Sequence, residues 1–375
     1  MIDYRTTPAG RAVRTTATIL ALSAAPQACV QRDGDRTCQT ISDSAGVAIA
    51  TIDCSAESLP QWHAEVALTI GEVHGPAELT FGQISDIAVD RHARLLVLDR
   101  QAQDVRLFDR DGSLVRRIGG PGDGPGELGA YPTTVRVGPG DSIYVLDNMP
   151  PRLHVYSPGG DPVRTVFFRL EKRRGPYDVH VLPDGGFLLR WYTYHLSEDG
   201  RFLPWDVLLR GGPANSSWDS VMAFVYEPPD VGDVNEIKRP LISNTAFYDL
   251  LAEQRVAWSA IEDDQVYLHT LNGDLSRIIR NASWRRAATT DADRAVFAQV
   301  FLASQDGEVR SMSPNVTYPD SIPTIITLRA SPDGGFWVQR MSALTELDPD
   351  GLMDPVNSRL LGGGTWEVYN ERGML

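Results

Sequence analysis

The chain has 375 residues, 42% of them hydrophobic, with 33 glycines, 25 prolines and a formal net charge of −14 at pH 7. That is enough chain to bury a large core without staples, in the composition of a turn-rich globular protein. An acidic surface repels phosphate backbones and anionic lipid, which excludes nucleic acid and anionic membranes as primary partners.

Arg5, Arg11 and Arg14 precede an apolar run from Ala17 to Ala25, with small residues at Ala24, Ala25 and Ala28. This reads as an export leader over residues 1–28, cleaved between Ala25 and Cys29. Its loss takes the net charge to about −16, since it removes three arginines and one aspartate. Cys29 follows "PQA", a degenerate lipobox, so lipidation of Cys29 would give an envelope-anchored lipoprotein, and its absence a periplasmic or secreted monomer. No other stretch approaches the roughly 18 apolar residues of a spanning helix. Residues 29–46 read as a linker. Cys38 and Cys54 remain as an even pair, either bridged in an oxidising compartment or free and buried. There is no CxxC spacing for a cysteine zinc site.

Further on, "IGGPGDGPGEL" (Ile118–Leu128) packs five glycines and two prolines into eleven residues. It lacks the lysine of a phosphate-binding loop, and its prolines remove amide donors. An earlier stretch contains "HGPAEL" where this one contains "DGPGEL", 49 residues apart. The segment from Asp86 aligns without a gap on the segment from Thr134: Val89 on Val137, Val97 on Val145, Asp99 on Asp147, Phe108 on Tyr156, Gly112 on Gly160, all offset by 48. Each unit holds short alternating runs ("DIAVD", "RLLVLD", "VRLFD", "LVRRIG") split by turn clusters, with no helix inside. Four short strands per repeat of this length predict one blade of a β-propeller. "VHVLPDGGFLLR" from Val179, "EDDQVYLHTLNGDLSRIIR" from Glu262 and "LRASPDGGFWVQR" from Leu328 continue the series, with residues 47–80 as a candidate sixth unit. The expected fold is all-β: six blades of four antiparallel strands in one domain over residues 47–375. One inserted helix is expected near residues 290–304, where Thr290 and Asp293 suggest a capping box. Residues 216–240 read as an excursion.

These residues carry a resemblance. "ISDSAGVAIATID" from Ile41, "LPQWHAEVALTIG" from Leu59, the "GxGxGPGEL" joint, "SRIIRNASWRRAATTDADR" and "YPDSIPTIITLRASPDGGFWV" resemble, in that order, the exported bacterial six-bladed β-propeller proteins with NHL-like repeats. The resemblance implies the fold and export, and little about chemistry. Members usually run on past the strand resembling "TWEVYNERG", whereas this sequence ends at Leu375, so the last blade is expected to be incomplete.

No GxSxG or HExxH motif is present, and the seven histidines do not recur at one repeat position. His154, His180 and His269 read as packing residues; His74 stands where Asp123 stands in the next joint. In a propeller the first strand of each blade lines the central channel, so polar groups where it begins are natural ligands. Those positions are Asp86, Thr134, Asp178 and Thr327, with Asp123, Glu127, Glu78 and His74 on the joints. Asp86 and Asp178 could hold calcium, or else cap strand ends and loop amides. Asp99 and Asp147 read as turn-fixing. Two functions remain open: a ligand- or protein-binding scaffold at the cell envelope, requiring no cofactor, or a lactonase-like hydrolase or amidating-type lyase with a channel metal. Fold alone does not decide between them.

Overall fold

The computed structural model describes residues 17–19, 38–55, 58–62, 65–168, 176–196, 202–212, 218–225, 239–240, 246–260, 263–296, 316–317, 320–331, 333–341, 353–354, 359–360 and 365–375. The chain forms two compact units. Residues 1–28, 62–192 and 209–219 make the first, and residues 29–61, 193–208 and 220–375 the second. It opens with β1 (Ala17–Ile19), the hairpin β2 (Gln39–Ser44) and β3 (Val47–Ile52), and β4 (Leu68–Ile70).

In the first unit, β5 (Ile84–Val89), β6 (Leu95–Asp99), β7 (Asp104–Phe108) and β8 (Leu114–Gly119) form a four-stranded antiparallel meander. So do β9 (Pro132–Val137), β10 (Ile143–Asn148), β11 (Pro151–Tyr156) and β12 (Pro162–Phe167). The two sheets repeat in register. Val97 faces Ile87 as Val145 faces Val135, and one-residue bulges fall at Ser85 and Thr133 and again at Val115 and Val163. A third sheet runs β13 (Asp178–Val181), β14 (Phe187–Leu196), β15 (Phe202–Gly211), β16 (Trp218–Val225). All five residues of β6 and all five of β7 are buried. Leu96, Leu98, Val105 and Leu107 of one sheet pack with Val135, Ile143, Val145 and Tyr156 of the next. A fully buried aliphatic side chain contributes about 1.5–3 kcal/mol, so this layer is where the unit gains most of its stability.

The turns between third and fourth strands share one recipe. Asp109 and Ser157 cap the turn with their side chains, and Gly112 (φ 84°) and Gly160 (φ 87°) close it. A Cβ on Gly160 would stand 2.6 Å from Ile118 of the preceding blade's outer strand. Gly112 lies in the same way against Leu68 and Ile70, so β4 occupies the place of an outer strand before β5–β8. Its other edge pairs antiparallel with β1.

In the second unit, β17 (Arg239–Pro240) is a two-residue strand, and β18 (Ala246–Leu251), β19 (Arg255–Ala260), β20 (Gln265–Thr270) and β21 (Leu275–Asn281) form another meander. The sheet does not stop there. β3 pairs parallel to β21 and β2 antiparallel to β3, giving six strands. Residues 47–80, expected as a candidate sixth blade, are thus divided between this added hairpin and β4. Residues 39–44, expected in a linker, are a strand, because their alternation lets them pair with β3. A Cys38–Cys54 disulfide closes the hairpin, settling the bridged alternative. After the short strands β22 (Ala287–Ala288), β23 (Val316–Thr317) and β24 (Ser321–Ile322), a three-stranded sheet is built from β25 (Ile325–Ala330), β26 (Phe336–Arg340) and β29 (Trp366–Tyr369). The two-residue strands β27 (Met353–Asp354) and β28 (Arg359–Leu360) form a hairpin between β26 and β29 in sequence.

The inserted helix begins as expected. Residues 291–296 are helical. Thr290 Oγ1 accepts the Asp293 amide at 3.2 Å, and Asp293 Oδ2 accepts the Thr290 amide at 2.8 Å, the reciprocal bonds of a capping box. Residues 297–304 lie outside the described residues. Five blade sheets are present among the described residues, four of them with four strands of their own and one with three.

Candidate functional site

Where the first strands of successive blades run side by side in the first unit, their polar residues meet. Asp86 follows the bulge at Ser85 in β5, and Thr134 follows the bulge at Thr133 in β9. The bulge turns each side chain off the regular alternation. Asp86 Oδ1 accepts the amide of its own successor, Ile87, at 3.0 Å, and Oδ2 accepts the Val135 amide of the next blade at 2.9 Å. Arg136 Nη1 reaches the same oxygen at 2.5 Å, and its Nη2 reaches Asp178 Oδ1 in β13 at 2.7 Å. One guanidinium therefore joins carboxylates of two blades from a strand of the blade between. Asp178 also accepts the Val179 amide at 2.8 Å, and His180 Nε2 stands 3.6 Å from its second oxygen.

The two carboxyls titrate in opposite directions. Burial pushes Asp86 above the usual carboxylate range, aided by the charge of Asp178 and opposed by Arg136 and the Val135 amide. Burial pushes Asp178 the same way, but Arg136, His180, the Val179 amide and Arg190 outweigh it and hold Asp178 below that range.

Asp86 and Asp178 thus meet Arg136 and first-strand amides. Among the described residues no group of three or more His, Cys, Asp or Glu is arranged to hold a metal ion. The remaining expected residues stay with their own elements. Thr134 is buried beside Val135. Thr327 lies in β25 of the second unit, after a bulge at Ile326 that repeats those at Ser85 and Thr133. Glu127 curls back to accept the Gly124 amide at 2.7 Å, and Asp123 is exposed, 3.5 Å from Arg152. Glu78 and His74 are exposed on the first joint. Cys29 lies outside the described residues. So do most of the leader and His63.

Beneath the joints lies a second carboxylate layer. Asp99, fully buried, accepts the amides of Gly82 at 2.8 Å, Gln83 at 3.0 Å, Gln101 at 3.1 Å and Ala102 at 3.2 Å. Asp147 accepts those of Gly129 at 2.7 Å and Met149 at 3.3 Å. Both are turn-fixing. Each also holds a buried arginine: Arg106 lies 3.2 Å from Asp99, and Arg152 lies 3.2 Å from Asp147. Those guanidiniums donate on to joint carbonyls, Arg106 to Glu78 and Thr80, Arg152 to Gly122. The glycine-proline stretch is thus a blade joint clamped from below. Leu128, fully buried, pins it from within, and its amide bonds Gly120 O at 2.8 Å.

Above this layer the strand entrances carry exposed apolar groups: Tyr131 (43% exposed) before β9, Met149 (65%) on the β10–β11 turn and Tyr177 (47%) before β13. Tyr131 is held in place from two sides. Its carbonyl accepts the Asn148 amide at 3.0 Å, and the Arg100 guanidinium lies 4.7 Å over its ring. Sequence reasoning missed Arg136, Tyr131, Met149 and Tyr177. The first was hidden because it occurs in one repeat only. The others lie in connections where period-2 patterning says nothing about exposure.

Residues 75–202 match a family described as a 6-bladed beta-propeller. That match and the repeated sheets agree that this is an all-β propeller fold. Among solved structures, the chain is similar to a protein from Bacteroides vulgatus (13% identity, TM-score 0.45, 78% of this chain and 80% of that one). It is also similar to a protein of unknown function from Bacteroides caccae (11%, 0.41, 78% and 79%). A third is virginiamycin B lyase from Staphylococcus aureus (9%, 0.35, 69% and 78%). No curated protein matches the chain. No helix among the described residues is long and apolar enough to cross a membrane.

Proposed function

We propose that this propeller is an exported binding module whose ligand seats on the strand entrances of the first unit, over Tyr131, Met149 and Tyr177. The observation that carries this reading is the contrast between two layers. The carboxylates below are consumed in holding amides and guanidiniums, which makes a stiff frame. The aromatic and thioether groups above it are held out to solvent, with Tyr131 fixed by Arg100. Rigid exposed aromatic anchors over a satisfied polar frame are the ingredients of a recognition surface, since they bury area at little cost in side-chain entropy. Export is supported by the Cys38–Cys54 bridge, which persists in an oxidising compartment, and by the arginine-flanked apolar run of residues 1–28. Envelope anchoring rests on Cys29 alone.

The test uses the purified mature protein exposed to a fractionated envelope extract of its host, with bound mass read by native mass spectrometry. The wild type is expected to retain a discrete mass. The Tyr131→Ala/Met149→Ala double variant is expected to lose it with an unchanged circular dichroism spectrum. Retention by the double variant, or no retention by the wild type, overturns the reading.

A further inference from the structure

At the far ends of the same first strands, three turns of the first unit enclose an open depression of about 370 Å³. Its walls are Arg91, His92 and Arg94 on the β5–β6 turn, Asp141 on the β9–β10 turn, and Pro158 and Gly159 on the β11–β12 turn. The charges are sorted by depth. Asp141 and Asp90 are buried beneath, with side chains 7% and 2% exposed; Arg91 and His92 face outward at 69% and 59%, and Arg94 is intermediate at 24%.

Each acid grips its arginine by Nε and leaves the outer nitrogens of the fork directed elsewhere. Asp141 Oδ2 lies 2.5 Å from Arg91 Nε and 3.3 Å from His92 Nε2. Asp90 Oδ2 lies 2.6 Å from Arg94 Nε, while Arg94 Nη2 donates to the Pro158 carbonyl at 3.1 Å. Asp90 Oδ1 also accepts the His92 and Arg94 amides, both at 2.9 Å, so the turn that carries all three bases is stiff. Asp141 is stiff too. It sits at φ 59° after Gly140 at φ 68°, with its amide on Gly138 O at 3.1 Å.

A guanidinium held through Nε presents its two terminal NH₂ groups as a planar fork, the geometry that binds phosphate or carboxylate bidentately. Among the described residues, the terminal nitrogens of Arg91, Nη1 of Arg94 and the Gly159 amide make no hydrogen bond. We propose that this depression is a binding site for the phosphate group of a small phosphorylated molecule, with Arg91 as the bidentate contact and Arg94 Nη1 and the Gly159 amide as further donors. In a chain of net charge −14 such a site cannot work by long-range attraction. It works by short-range donors fixed in place, so its affinity is modest and its selectivity geometric.

The test is calorimetric titration of the full mature protein with inorganic phosphate and with glycerol 3-phosphate at pH 7.5. Three proteins are compared: wild type, Arg91→Ala, and Arg110→Ala as a surface arginine on the β7–β8 turn that touches no wall of the depression. The expected result is millimolar binding to wild type and Arg110→Ala, weakened at least tenfold in Arg91→Ala. Arg91 is exposed but pairs with buried Asp141, so Arg91→Ala is expected to lower the denaturation midpoint, and an unchanged circular dichroism spectrum at the titration temperature checks that it is folded. Equal affinity in Arg91→Ala, no binding to wild type at 20 mM ligand, or binding only to anionic vesicles and not to free phosphate overturns the proposal. None of these outcomes depends on the strand-entrance surface.

Discussion

Asp147 shows how much one side chain holds in this fold. It is fully buried, accepts two amides and lies against the Arg152 guanidinium. Asp147→Ala strands a buried cation and orphans the Gly129 amide, so unfolding in urea is expected to lose about 3–5 kcal/mol. A loss under 1 kcal/mol would mean that the joint relaxes onto water. Its neighbour His154 gives a pH signature. Burial, reinforced by Arg152 and opposed by Asp147, lowers His154 from 6.5 to about 4. The folded state therefore binds this proton less readily than the unfolded chain does. The stability associated with neutral His154 is complete above pH 6.5 and is lost as pH falls from 6.5 towards 4. His154→Gln is expected to flatten the stability profile over that window, read by denaturant midpoints at half-unit steps; an unchanged slope contradicts it. The repeat alignment hid this chemistry. Arg106 and His154 occupy the same position, opposite Val97 and Val145, while the arginine serving Asp147 is Arg152, directly opposite it. Two repeats solve one problem from different rungs of the ladder, so matching by residue type misses the pair.

Turns separate legible elements from illegible ones. Asp, Ser, Thr or Asn followed three residues later by glycine recurs at Asp109–Gly112, Ser157–Gly160, Thr270–Gly273 and Asn370–Gly373, and each closes with a glycine amide on the first residue's carbonyl. That chemistry is local, so the strands between could be placed from sequence. Whether a turn glycine tolerates a side chain is not local. Gly160→Ala meets both a positive φ and Ile118 at 2.6 Å, and is expected to cost about 2–3 kcal/mol. Gly140→Ala has a similar φ but open space around it, and is expected to cost about 1 kcal/mol. Equal costs in thermal unfolding would contradict the packing account. The β2–β3 hairpin was illegible for a related reason: alternation announces a strand, but not that β3 adds in parallel to the outer edge of β21.

At the scale of the whole chain, the 48-residue period was readable because blade packing imposes it. Burying both faces of β6 and β7 demands apolar residues at fixed positions in each repeat. What the period could not reveal is a residue used once. Arg136 is such a residue, and with Asp86 and Asp178 it ties together the first strands β5, β9 and β13. Asp249 ties two blades of the second unit, accepting the amides of Leu250 and Ala330, both at 2.8 Å. We propose that the first-strand aspartates are frame and not ligands for calcium. The most direct test is the unfolding of wild type, Arg136→Met and the triple variant Asp86→Asn/Arg136→Met/Asp178→Asn, each with and without millimolar calcium. With these groups about a quarter exposed, Arg136→Met is expected to lose about 2 kcal/mol, and the triple variant to regain part of that because no carboxylate is left uncompensated. Calcium is expected to leave the wild type unchanged. A wild type stabilised by calcium, together with an Arg136→Met variant as stable as the wild type, would contradict the account.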